Sequence, residues 1–352
     1  MRGFFMSEYE NLLRQIKSQV PVDESFDLLE RKLKIGERDA TMFFVDGLVD
    51  GDVMQRVVAS LQGLDKKTVD RAKTAGEFMA YNLAFLDCLL ASDMKQGIQF
   101  LYSGLIPLLI DGYDQIIIID GRDYPLRSVA EPSKEKSLRG AKDGFVEAMM
   151  MNIALLRRRI RDNALIFKIY TVGDVTKTDV ALAYMKDRAD QDMVKKMDQT
   201  LKQLRLRGLT VTEQTLVEAL TGKKLSWCNP FPKVRYSQRP DIIAAHVEEG
   251  KLAVIVDNSP TVILLPAGIF DFLQDIDDYY FPLLTGNYFR FLRILNIFVI
   301  LFATPVYLLF AEGDIPVNEA LRFFITEEEF AISIFWQFIL LELAVDGLKL
   351  AS

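Results

Sequence analysis

The chain has 352 residues, 49 acidic against 42 basic side chains and a net charge of −7, a balance too mild to imply nucleic acid, and no nucleic-acid partner is expected. Its two cysteines, Cys88 and Cys228, are too few for a disulfide framework and fit a reducing compartment; with His246 they are also too few and too scattered for a zinc site. No phosphate-binding loop, dinucleotide fingerprint or nucleophile elbow occurs, so the expectation is a non-enzyme with no cofactor and no metal.

Residues 1–35 are polar and helix-like and read as an amino-terminal arm, without the apolar run of a signal peptide. Ala40–Val45 (ATMFFV) predicts a short buried strand that ends at the turn Asp46-Gly47. Val53–Leu61 has helical spacing, and Lys66–Ala91 predicts one long helix or two. Ile98–Ile110 is apolar but interrupted by Gly104 and Pro107 and too short to span a membrane, so it belongs to a core. Gln115–Asp120 (QIIIID) is apolar on both faces, as a central strand is.

The turn-rich stretch from Gly121 to Gly144 separates two expected α/β subdomains, residues 36–135 and 136–288. Phe145, Met149, Ile153, Leu156 and Ile160 share one helix face, with Asp143 placed to cap the helix and Asp162-Asn163 to end it. Leu165–Val172 and Thr178–Met185 read as strands paired across Gly173-Asp174. Helices are expected at Gln191–Leu206 and Thr212–Leu220. A second strand pair, Lys251–Asp257 and Thr261–Leu265, closes around Asn258-Ser259-Pro260. The expected class is mixed α/β, with no internal repeat.

From Ile294 to Ala311 no acidic or basic side chain occurs, and a run of about 18 such residues is the length at which a spanning helix becomes the default. Residues 289–311 are the expected first membrane span. Arg290 and Arg293 precede it and an acidic stretch, residues 312–329, follows, so the amino-terminal region is expected in the cytoplasm and the acidic loop outside. Residues 330–352 hold a second apolar run, read as a second span or as a re-entrant or interfacial segment. The chain stops soon after it, and later spans are expected to be missing.

Three features carry candidate chemistry. Arg157, Arg158, Arg159 and Arg161 crowd the carboxyl end of the Phe145 helix, where cations oppose the helix dipole; they read either as a solvated helix end or as a clamp for carboxylates or lipid headgroups. As a clamp they would join neighbouring subunits or the two subdomains, so that replacing Arg157, Arg158 and Arg159 by Gln would block assembly and leave the fold intact. Asp120-Gly121-Arg122-Asp123 is a turn or a cation site. Glu342 and Asp346 lie four apart on one helix face, in an ion path or at an interfacial anchor. His246 reads as a helix-surface or interface residue.

Several segments together resemble the GerA family of spore germination membrane proteins, A-subunit type. They are Glu131-Pro132, Arg139-Gly140, Gly144-Phe145 with Glu147, Asn152 and the arginine run to Arg161, then Arg239-Pro240-Asp241, Gly250, Asp257 and Pro260, and Phe270-Asp271-Phe272 just before the first span. Thr176-Lys177-Thr178-Asp179, His246 and Asp257-Asn258-Ser259-Pro260 lean toward the stage V sporulation AF branch of that family. The resemblance covers residues 46–352 and implies two cytoplasmic α/β subdomains on a multi-pass anchor in the spore inner membrane. It also implies homo-oligomers, other germination membrane subunits and the lipid bilayer as partners, and a part in an ion channel used in germination.

Overall fold

The computed structural model describes residues 8–83, 87–124, 142–204, 216–217, 234–268, 271, 283–311 and 331–351. The chain divides into two units, Met1–Phe272 and Leu273–Ser352. The first begins with α1 (Glu8–Gln19), β1 (Leu28–Ile35), β2 (Arg38–Val45), α2 (Gly51–Gln62), α3 (Lys66–Arg71) and α4 (Ala75–Asn82). It continues through β3 (Cys88–Leu90), α5 (Met94–Tyr102), β4 (Ile106–Ile110), β5 (Ile117–Ile119) and α6 (Met149–Arg159). Then come β6 (Leu165–Val172), β7 (Thr178–Met185), α7 (Gln191–Gln203), β8 (Arg235–Ser237), α8 (Pro240–Glu248), β9 (Leu252–Val256) and β10 (Val262–Leu265).

The strands build two five-stranded antiparallel sheets, ordered β1-β2-β4-β5-β3 and β6-β7-β9-β10-β8. These are the same order: a hairpin, an outer strand reached through helices, then a second hairpin inserted between them. The likeness extends into the loops. Gly104 follows α5 at φ +82 and Gly250 follows α8 at φ +99. Each stands the same distance before the aspartate that opens the next hairpin turn, Asp111-Gly112 and Asp257-Asn258. The chain therefore carries a duplicated ββαβαββ unit, which corrects the expectation of no repeat. GLIPLLIDG and GKLAVIVDN keep the apolar pattern and the turn, but little identity, so the repeat is hidden at the level of letters.

Both sheets are covered on both faces, so their inner strands β4, β5, β9 and β10 are buried at every position. One face of the first sheet packs Met42 and Leu108 against Val57, Val69 and Phe78 of α2, α3 and α4. The other packs Phe43 and Ile118 against Ile16 of α1 and Leu101 of α5. The second sheet sets Phe167 and Ile255 against Ile153 of α6 and Ile243 of α8. Its far face sets Leu182 and Val254 against Val194 and Leu201 of α7.

Local differences from expectation have local causes. Residues 28–35 are not arm but the outer strand β1, because Leu28, Leu33 and Ile35 find a sheet to bury against while Arg31, Lys32 and Lys34 stay exposed. The helical stretch after Lys66 breaks where Thr74 caps a new helix, and β3 follows. The central strand QIIIID is the interior strand β5. Thr212–Leu220, apart from 216–217, lies outside the described residues.

In the second unit, α9 (Leu283–Ala311) contains Leu284–Phe310, the one helix among the described residues that is long and apolar enough to cross a membrane. The expected second span is α10 (Ile334–Ala351), 18 residues long, against the roughly 20 that a bilayer core needs, and it carries Glu342, Asp346 and Lys349. Among the described residues, α9 is therefore the one candidate span by length and composition. Tyr307 of α9 meets Phe338 of α10 edge-on, with ring centroids 5.9 Å apart.

Cys88 lies half-buried on β3, and burial, reinforced by Asp87 and Asp120, pushes its thiol up to about 11. In a Cys228→Ser chain, alkylation of Cys88 by iodoacetamide at pH 8 should run about a hundredfold slower than for a free cysteine and become normal in denaturant. Equal rates in both conditions would show a thiol that the fold leaves unperturbed.

Candidate functional site

The arginines at the end of α6 do not form a solvated fringe. Arg157 is fully buried, and its guanidinium clasps Asp27 through two bonds, Nε to Oδ2 at 2.7 Å and Nη2 to Oδ1 at 3.0 Å. Nη1 donates to the Asp162 carbonyl at 3.0 Å and Nη2 to the Leu165 carbonyl at 2.9 Å. The rings of Tyr102 and Phe167 lie 5.5 and 5.1 Å from its central carbon. Burying two charges is costly unless their remaining hydrogen-bonding capacity is met, and here it is met on every side.

Around this pair the segment before β1 is laid along the start of β6. Phe167 N–H donates to Ser25 Oγ at 3.0 Å, and Phe26 N–H to the Phe167 carbonyl at 3.0 Å. Ser25 Oγ donates to Asp27 Oδ1 at 2.6 Å, and Lys186 reaches Glu24 at 2.6 Å. The first sheet's lead-in is thus sewn to the second sheet's outer strand. The other arginines have partners within the chain too: Arg158 stacks 4.6 Å from the Tyr124 ring, and Arg159 holds Asp143 at 2.6 and 2.7 Å. Arg161, exposed, donates to the Arg158 carbonyl at 3.2 Å. Ser25 and Asp27 were missed in the sequence: they sit 130 or more positions from Arg157, and no spacing signals the contact.

The motif residues converge at the other end of α6. The helix starts at Met149 rather than Phe145, and Asp143, expected as its cap, is taken by Arg159. The capping comes from across the fold: Asp257 Oδ1 accepts from Met149 N–H at 3.1 Å, and Asn258 N–H donates to the Glu147 carbonyl at 2.8 Å. Asn152, fully buried, folds its side chain back on Val146, accepting from its N–H at 2.8 Å and donating to its carbonyl at 2.5 Å. Phe145 N–H donates to the Gln238 carbonyl at 2.8 Å, which brings the Arg239-Pro240-Asp241 motif alongside. Arg239, fully buried, pairs with Asp241 at 3.1 and 2.7 Å at the start of α8. Gly144 is buried and Pro260 partly so. Glu131, Pro132, Arg139 and Gly140 lie outside the described residues.

A third cluster surrounds His246, which is 1% exposed and so buried within the unit rather than set on the helix surface, the first of the two expected places. Arg235 Nη1 lies 3.2 Å from Nε2 and Glu249 Oε2 lies 3.1 Å from Nδ1. Burial, with Lys251 nearby, pulls its imidazole below the ordinary value. Asp120 clasps Arg122, which lowers its carboxyl, so the DGRD stretch is a braced turn. Among the described residues no cluster suited to a metal ion occurs. Asp346 lies 3.7 Å from Lys349, and Glu342 is exposed on α10.

A family model described as Bacillus/Clostridium GerA spore germination protein matches residues 14–352. The chain is 32% identical over 336 residues to stage V sporulation protein AF of Bacillus subtilis (strain 168), covering 96% of this chain and 67% of that protein. It is 29% identical over 289 residues to spore germination protein KA of the same strain, covering 81% of this chain and 52% of that one. The crystal structure of the N-terminal domain of the A subunit of the Bacillus megaterium spore germinant receptor GerK3 is similar at a TM-score of 0.55 and 26% identity, covering 73% of this chain and 94% of that domain. The chain thus spans between about half and two thirds of these two curated relatives.

Arg157→Gln should cost about 3–5 kcal/mol, because it leaves Asp27 buried without its partner, whereas Arg161→Gln should stay within about 0.5 kcal/mol. This revises the expectation that neutralising the arginines would spare the fold. Denaturant titration of the full chain measures both, and equal costs would contradict the buried clasp. Gly250→Ala should cost at least about 1–3 kcal/mol, since φ is +99 and an added Cβ would stand 2.6 Å from the Arg188 carbonyl oxygen. An unchanged unfolding midpoint in that variant would show that the loop relaxes freely.

Proposed function

This chain belongs to the GerA family of spore germination proteins, and we propose that it acts there as a non-enzymatic, A-subunit-type component of a germination complex in the spore inner membrane. One observation carries the reading. A two-sheet unit with the fold of a germinant-receptor A-subunit domain occurs in the same chain as the apolar helix Leu284–Phe310. Several copies, together with other germination membrane subunits and the lipid bilayer, would surround an ion path used for ion release. The two-sheet unit would face the spore core, as Arg290 and Arg293 before the apolar run favour. Of the two carboxylates on α10, Glu342 is the better pore candidate, because Asp346 has Lys349 beside it. A ring of such carboxylates concentrates cations and excludes anions.

A second reading is a membrane-anchored sensor or scaffold, favoured by the placement of Asn152, Arg239, Asp241 and Asp257 in the Met1–Phe272 unit and not in α9 or α10. Flux through the full-length protein in liposomes separates the two. A cation conductance supports the channel, and no conductance together with a saturable small ligand supports the sensor. Glu342→Gln should weaken cation-over-anion preference and slow cation release from germinating spores at unchanged abundance. Unaltered selectivity in that variant would remove Glu342 from the ion path.

A further inference from the structure

The single histidine of the chain sits beside the last described residue of the first unit. His246, on the last turn of α8, has ring nitrogens that face opposite kinds of partner. Arg235 Nη1, 3.2 Å from Nε2, can only donate, and the Glu249 carboxylate, 3.1 Å from Nδ1, accepts. These neighbours set the neutral ring as the Nδ1–H tautomer, with Nε2 accepting from Arg235. The same Arg235 Nη1 donates to the backbone carbonyl of Asp271 at 2.6 Å. The Asp271 carboxylate is itself gripped by Lys251 Nζ and accepts from Gly268 N–H at 2.6 Å.

We propose that His246 is a proton-operated latch: neutral, it seats Arg235 where it grips the Asp271 backbone, and protonated, it displaces Arg235 and releases that backbone. The inference rests on this geometry and is independent of the channel reading. A proton on Nε2 would confront a guanidinium N–H at 3.2 Å, donor against donor. The imidazolium would pull toward Glu249, but that side chain is 58% exposed and its attraction is screened by water. Attraction between the imidazolium and the Asp271 carboxylate does not restore the lost bond, which is to the backbone carbonyl.

The surroundings of the ring favour the neutral form. Glu248 and Glu249 come from the end of α8, Arg235 from β8, Lys251 from the turn into β9, and Asp271 from beyond β10. β9 and β10 carry only apolar side chains, and Asp179, the one charged residue of β7, is bonded to Thr171 at 2.9 Å. The arginines of α6 are engaged by Asp27, Tyr124 and Asp143. Burial is the largest influence and lowers the imidazole's pKa, Lys251 and Arg235 add to it, and Glu249 opposes. A base whose folded pKa is lowered stabilises the closed form above its ordinary value of about 6.5. That stabilisation is lost as pH falls below this value toward the folded one.

The test uses the full chain in lipid nanodiscs, purified without a histidine tag, so that every imidazole ¹⁵N signal belongs to His246. The latch predicts the Nδ1–H tautomer near neutrality and a titration below the ordinary value. It also predicts that amide exchange in the peptide containing Asp271, corrected for intrinsic pH dependence, rises by up to about tenfold per pH unit below about 6.5. His246→Gln, which can still accept from Arg235 and donate to Glu249, should hold exchange slow at every pH, and Arg235→Gln should make it fast at every pH. An Nε2–H tautomer, or the same acid response in the His246→Gln chain, would overturn the latch. The tautomer measurement on the unmodified chain decides the matter even where a variant does not fold.

Discussion

One buried ion pair sets the terms for the rest of the two-sheet unit. Arg157 and Asp27 are both at 0% side-chain exposure, and each belongs to a different half of a duplicated fold. Each half packs helices of its own against its sheet. What makes them one body is the junction, where α6 serves as a wall common to both. Ala154 enters the core of the first half, while Ile153 and Leu156 enter the second. The wall stands so close to the first half that a Cβ on Gly47, already at φ +80, would lie 3.0 Å from that of Ala154. Arg157, at the end of this helix, then reaches the lead-in to β1 and the start of β6 together.

This arrangement gives the motif residues a physical role. Asp257 caps α6 from the second hairpin of the second half, and Asn152 locks the approach to the same helix. One end of α6 is held by the second half and the other by the first. Arg239 and His246 lie at the two ends of α8, which packs against α6 and carries the cluster that holds Asp271. A path of braces and packed helices thereby runs from the Asp27–Arg157 pair through α6 and α8 to the His246 cluster.

Much of this was legible in the sequence and some was not, for identifiable reasons. Hairpins such as β6–β7 and β9–β10 were legible because their pairing is local and a turn dipeptide marks each one. The central strand β5 was legible because a strand buried on both faces has no polar side. The capping of α6 was misread, since Asp143 stands near the helix and Asp257 does not: the nearer residue lost to one 108 positions away. The duplication was illegible because strand burial constrains hydrophobicity and turn geometry but not identity. Asp27 was illegible for a different reason: one acid among Asp23, Glu24 and Glu30 looks like any solvated carboxylate until its partner is placed. The arginines were recognised as a cluster, but only the fold separates Arg157, facing inward, from Arg161, facing water.

The most direct test of this account is a double-mutant cycle on Asp27→Leu and Arg157→Met, read by denaturant unfolding of the full chain. If the pair is the clasp between the halves, each single change leaves a buried charge alone, while the double change removes both. The cycle should then give a coupling of about 3 kcal/mol, with the double variant more stable than either single variant. Additive losses, with a coupling near zero, would mean that the two halves are joined by packing alone and that the ion pair is incidental.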